Sequence, residues 1–119
     1  MERKTWGYCL SLNLYDCNRE RITKKKPIKI FIRKLLEIIN MKPYGDPMVC
    51  RFGEGDLYGV SAIQLLMTSN LAIHCNEQNG CSDLYLDLFS CRQFEIIKVT
   101  EFAQKFFDAK EIKVDYKER

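Results

Sequence analysis

The chain has 119 residues, 46% of them hydrophobic, enough to bury one core and too apolar for a disordered segment. Its 19 Lys+Arg against 16 Asp+Glu leave a formal charge of +3, too small to point to a nucleic-acid partner. No run reaches the ~18–20 consecutive apolar residues of a membrane helix, and the N-terminus does not read as a signal peptide, so a cytoplasmic protein without a membrane partner is expected.

Trp6 to Tyr15 alternates with period two. Trp6, Tyr8, Leu10, Leu12 and Leu14 share one face, which predicts a strand with one apolar side. Asp16-Cys17-Asn18 breaks it. Lys24-Lys25-Lys26 is the only basic run and reads as a solvated approach to a helix. Pro27 suits a first helical turn, and Ile28, Phe31, Ile32, Leu35, Leu36 and Ile39 recur at helical spacing. An amphipathic helix of about three turns is predicted, capped by Asn40 ahead of Pro43. Met48 to Phe52 reads as a short strand, and Phe52-Gly53-Glu54-Gly55-Asp56 as a loop.

Val60 to Thr68 and Leu71 to Cys75 are apolar, so two strands, or one bent strand, are expected with Ser69-Asn70 between them. Asn76 to Ser82 is a hairpin loop turning at Asn79-Gly80. Asp83 to Phe89 alternates strictly, with Leu84, Leu86 and Leu88 on one face. Val99, Phe102, Ala103, Phe106 and Phe107 form the stripe of a second helix, and Glu111 to Tyr116 alternates as a last, edge strand. Tight turns between strands and two amphipathic helices predict one α+β domain over residues 1–119: a two-layer sandwich of a mainly antiparallel sheet covered by two helices.

Six cysteines are many for this length: Cys9, Cys17, Cys50, Cys75, Cys81 and Cys91. Without an export signal, a disulfide framework is not expected. There is no C-x-x-C pair and one histidine, His74, so no metal site is predicted. Several of the cysteines sit in apolar strand-like runs and read as small buried hydrophobes. Glu54 and Asp56 sit in a loop that lacks the lysine and glycine spacing of a phosphate cradle. His74 follows Ser69 by five residues. On an extended chain their side chains face opposite sides unless the backbone bends, and Asn70 is the candidate bend. Taken alone, His74 reads as a core or hairpin histidine and Cys91 as a buried strand-end thiol.

Together, these residues resemble the S-adenosylmethionine decarboxylase proenzyme family in its small bacterial and archaeal form. The matching elements are Gly59-Val60-Ser61, then Ser69 eight residues on, Ile73-His74, and Asp87-Leu88-Phe89-Ser90-Cys91. Leu14-Tyr15-Asp16-Cys17 is similar to the family's L-Y-G-C after its first strand. The resemblance covers nearly the whole chain.

The resemblance implies a self-processing decarboxylase whose cofactor is a pyruvoyl group made from Ser69. Ser69 would attack the Thr68 carbonyl, cutting the chain into 1–68 and 69–119. Ser61 would steady the oxyanion, and His74 would remove the Cα proton of residue 69. The resulting ketone would form a Schiff base with a small-molecule substrate, and Cys91 would return a proton to the substrate carbon. Phe52 or Tyr58 would stack on adenine, and Glu77 would stand for an acidic substrate-binding residue. A homodimer with active sites near the subunit interface is also implied.

The chain departs from the family pattern at Thr68, where glutamate is usual, and at Asn70, where histidine is frequent. Cys75-Asn76-Glu77-Gln78 replaces T-W-P-E. Three functions stay open at this point: decarboxylation of S-adenosylmethionine for spermidine synthesis; decarboxylation of an amino acid such as arginine or ornithine by the same group; and an unprocessed, non-catalytic relative that binds a ligand or partner.

Overall fold

The alternating leucines build the centre of a sheet. Strand β1 (Tyr8–Tyr15) pairs antiparallel with β5 (Asp83–Ser90), Leu12 opposite Leu86, and the three inward leucines of each strand are buried. Four further strands complete the sheet: β2 (Met48–Phe52), β3 (Gly59–Leu66), β4 (Ser69–Asn76) and β6 (Glu111–Glu118). Their order is β2-β3-β4-β5-β1-β6, with every neighbouring pair antiparallel. The computed structural model describes all residues, Met1–Arg119.

Helices α2 (Lys25–Ile38) and α3 (Ile96–Phe107) cover one face; α1 (Arg19–Ile22) is a single turn before α2. Helix α2 buries Ile28, Phe31, Ile32, Leu35 and Leu36, the stripe that the spacing predicts. Asn40 ends it in a left-handed conformation (φ 53°), with its N–H on the Glu37 carbonyl and the Met41 N–H on that of Leu36. Phe31 then meets Phe102, Phe106 and Phe107 of α3 at ring separations of 5.3, 5.4 and 4.7 Å. The result is a two-layer α+β sandwich. No helix is long and apolar enough to cross a membrane.

Two local expectations are corrected. Trp6 lies outside β1, and its ring stacks on Phe89 of the face away from the helices, at 6.1 Å and 26°. The Phe89 ring fills the space over Gly7, where a Cβ would lie 2.5 Å from it, and Gly7 itself exchanges two backbone bonds with Arg119 at 2.8 Å. The β3–β4 turn is Met67-Thr68 rather than Ser69-Asn70, and β4 runs unbent from Ser69. The Asn79-Gly80 turn is present, with both residues left-handed (φ 54° and 78°).

The second face of the sheet carries no helix. One half is apolar: Met48, Phe52, Ile63 and Leu65 stand there, Ile63 47% and Leu65 56% exposed. The other half mixes the Trp6–Phe89 stack with polar groups, Ser11 donating to Asp87 at 2.6 Å.

Candidate active site

Strand register decides which functional side chains meet. Ser69 and Ser90 are the terminal pair of the β4–β5 ladder, so Thr68 and Cys91 follow as neighbours just beyond it. Ser69 is in phase with Leu71 and Ile73 and points to the helix-covered side. A hydroxyl buried there must be paired. Ser69 Oγ donates to Ser90 Oγ at 2.9 Å and lies 3.3 Å from the Met67 carbonyl oxygen. Thr68 Oγ1 donates to the Met67 carbonyl at 2.6 Å and contacts Cys91 Sγ.

Thr68 itself is left-handed, with φ 55°. A β-branched residue in that conformation is strained by about 1–2 kcal/mol. The strain falls on the residue that supplies the carbonyl of the Thr68–Ser69 bond. A cavity of about 190 Å³ opens beside this turn, lined by Thr68, Ser69, Ser90 and Cys91, with Lys42 and Arg92 as its two charged residues.

Ser61 and His74 are also cross-strand partners, with Ser61 Oγ 2.9 Å from His74 Nδ1. They stand on the open face, beside a second cavity of about 260 Å³ that Phe52, Met48 and Cys50 help to line. Five residues of unbent strand put His74 ~17 Å along the chain from Ser69 and on the other face. Within one chain the structure therefore brings Ser69, Thr68 and Cys91 together, and Ser61 with His74, but not the two groups with each other. Gly59 is explained by packing: a Cβ there would lie 2.8 Å from the Cys75 carbonyl oxygen.

Tyr58 and Glu77 are both engaged by Arg51, a residue that the pattern of the sequence does not single out. The Arg51 guanidinium makes two bonds to the Glu77 carboxylate, at 2.7 and 3.0 Å, and lies 4.9 Å from the centre of the Tyr58 ring. Those bonds hold the Glu77 carboxyl below its usual range. Phe52 is unengaged and 59% exposed. Burial pushes the Cys75 and Cys17 thiols up to about 12, so both stay protonated at neutral pH. Ser90 is the other residue that sequence reasoning left without a role. Its signal was there: it is the next in-phase position after Leu84, Leu86 and Leu88, and it is polar.

Comparison with known proteins agrees with this architecture. No curated protein matches the chain. The crystal structure of the adenosylmethionine decarboxylase from Aquifex aeolicus VF5 superposes with a TM-score of 0.79 at 18% identity, over 98% of this chain and 92% of that one. The Trypanosoma brucei AdoMetDC-delta26 monomer superposes with a TM-score of 0.60 at 17% identity, over 90% of this chain and 44% of that one. At such identities the likeness is one of fold. The sequence match is to the family described as S-adenosylmethionine decarboxylase and runs over residues 8–119. With that match spanning all six strands and all three helices, the chain belongs to the S-adenosylmethionine decarboxylase family.

Proposed function

We propose that the chain is a self-processing, pyruvoyl-dependent decarboxylase of S-adenosylmethionine, supplying aminopropyl groups for spermidine. The observation that carries this reading is the meeting of a left-handed Thr68, a buried Ser69 hydroxyl and the Cys91 thiol at one hairpin end. These residues suit a pyruvoyl group made in place. The hydroxyl needed to cut the chain is curled back toward the turn, and the carbonyl it would attack belongs to the strained residue.

In the cut, Ser69 Oγ bonds to the Thr68 carbonyl carbon, the C–N bond of the peptide breaks, and the hydroxyl proton passes to the freed nitrogen. Ser61 is assigned to the oxyanion of the tetrahedral stage. His74 is assigned to the Cα proton of residue 69; the Cβ–Oγ bond then breaks and the Thr68 carboxylate departs with that oxygen. Water replaces the nitrogen, which leaves as ammonia, and a ketone heads residues 69–119. Once formed, this group supplies an electron sink for the bond to the departing carboxylate. Cys91 delivers a proton to the substrate carbon; in the uncut chain its sulfur already lies against the Thr68 hydroxyl at the bond to be cut. Phe52 is assigned to the adenine ring. Tyr58 and Glu77 can serve the substrate only from their places around Arg51.

The position of His74 calls for a second copy. The base acts at Cα, a backbone atom at the rim of the sheet, which a facing sheet can approach. A homodimer through the open face would cover the exposed Ile63 and Leu65 and let Ser61 of the partner subunit and His74 of the partner subunit, which move as a pair, serve Ser69.

Denaturing mass spectrometry of freshly purified protein tests the reading. The expected result is two fragments, 1–68 and 69–119, the second headed by a ketone that a carbonyl reagent labels. A chain that stays whole after long incubation would support the unprocessed, non-catalytic alternative instead. Product analysis with S-adenosylmethionine, arginine and ornithine then fixes the substrate.

A further inference from the structure

We propose that Ser90 is a positioning residue for chain cleavage, its buried hydroxyl holding the Ser69 oxygen against the turn that carries the bond to be cut. The inference rests on the self-processing reading above.

Ser90 breaks a run of leucines. Leu84, Leu86 and Leu88 face the core, and the next in-phase position is a fully buried serine. Burying a hydroxyl costs about 1–3 kcal/mol unless it is paired. Its two partners both belong to the neighbourhood of the cut. Ser69 Oγ donates to it at 2.9 Å and the Arg92 N–H at 3.0 Å. Neither bond joins the helix layer to the sheet; both stay at the hairpin end that carries the Thr68–Ser69 bond.

The placement follows from register. Ser69 and Ser90 sit directly opposite at the last rung of the β4–β5 ladder. The Arg92 N–H bond folds the chain over the end of β5 and pins the acceptor itself. With Ser90 on one side and the Met67 carbonyl at 3.3 Å on the other, the Ser69 side chain is confined to one of its three rotamers. That rotamer returns the oxygen toward the Met67-Thr68 turn.

The chemistry needs such a hold. As the bond from Ser69 Oγ to the Thr68 carbon forms and the C–N bond breaks, the hydroxyl proton must leave the oxygen for the nitrogen. An acceptor for that O–H concentrates negative charge on the attacking oxygen and removes the search over rotamers. Ser90 gains and loses no proton overall. Its effect is confined to the acyl shift, before His74 acts.

The test follows cleavage of the freshly made full-length chain by mass spectrometry in wild type, Ser90→Ala, Ser90→Cys and Ser90→Thr, each with and without hydroxylamine at neutral pH, which cuts the ester at Ser69; any alkaline cut at Asn79-Gly80 gives fragments of different mass. Ser90→Ala and the near-isosteric Ser90→Cys should cleave about ten- to a hundredfold more slowly, and Ser90→Thr within about threefold of wild type. Hydroxylamine should not accelerate Ser90→Ala or Ser90→Cys, because the ester does not form. Wild-type rates in both variants overturn the proposal and leave self-processing intact. An ester that accumulates in Ser90→Ala places Ser90 after the acyl shift and also overturns it. So does a Ser90→Thr defect that equals Ser90→Ala and tracks a fall in melting temperature, which makes Ser90 a packing residue. A wild-type chain that never cleaves removes self-processing itself, and this role with it.

Discussion

The two ends of the β3–β4 hairpin carry similar groups in opposite settings. At the turn, Ser69 is buried, its oxygen is held by Ser90, and Cys91 closes over the strained Thr68. At the other end, Ser61 and His74 are hydrogen-bonded to each other but stand on a face that nothing in the chain covers. The first end places its groups beside a cavity of about 190 Å³ under the helix layer, the second beside one of about 260 Å³ on the open face. A strand's period of two makes this unavoidable, since an odd offset of five residues puts two side chains on opposite faces. One sheet can position a nucleophile or present a base at these positions, so the cooperation proposed for them would need a second sheet.

The sharpest way to break this contrast is to separate the two ends into different chains. Ser69→Ala should abolish cleavage outright, and His74→Ala should slow it by about 10²–10⁴. Mixing the two variants should restore cleavage of the His74→Ala chain, since the Ser69→Ala chain carries an intact histidine. Mass spectrometry of the mixture reads the result, and a His74→Ala chain that stays whole removes the second copy as donor of the base. Cys91→Ala should still be cut but lose about a hundredfold or more in decarboxylation, measured as CO₂ release.

A smaller effect tests the open face as a surface. Ile63→Asp should convert a dimer of twice the 14.0 kDa chain mass into monomer, read by light scattering. Smaller again, Thr68→Gly relieves the left-handed strain, so the intact precursor should gain about 1 kcal/mol in denaturant unfolding and cleave about fivefold more slowly. Last, the buried thiols set an alkaline limit. Their folded pKa lies above the unfolded one, so their contribution is complete below about 9 and is lost as pH rises toward about 12. Melting temperature should therefore decline across that window, and less steeply in Cys75→Ser.

Much of this arrangement is legible in the sequence. The leucines of β1 and β5 and the phenylalanine stripe of α3 declared their faces because each repeats one period over several turns or rungs. Asn40 and Asn79-Gly80 were legible because left-handed residues favour such side chains. The Met67-Thr68 turn was not. Threonine is a poor choice for a left-handed position, and Ser69-Asn70 has the better turn chemistry, so local preference pointed two residues too far. Trp6 lies outside the strand although alternation continues through Gly7, because its ring is taken up by Phe89, a partner 83 residues away in sequence. Arg51 was missed for a related reason: nothing near it in sequence announces Glu77, 26 residues away.

The order of strands has a consequence for what a cut between 68 and 69 would leave behind. The first fragment would own β1, β2 and β3 and the second β4, β5 and β6, yet β1 lies between β5 and β6. The two pieces are threaded through one another and share three ladders, so they would stay associated as a nicked whole. Melting such a molecule would release two separate polymers. Regaining the native state would then require the two fragments to meet, an encounter that the uncut precursor, with all six strands on one polymer, does not need; in an Ile63→Asp background, recovery of the nicked form should depend on concentration and that of the precursor should not.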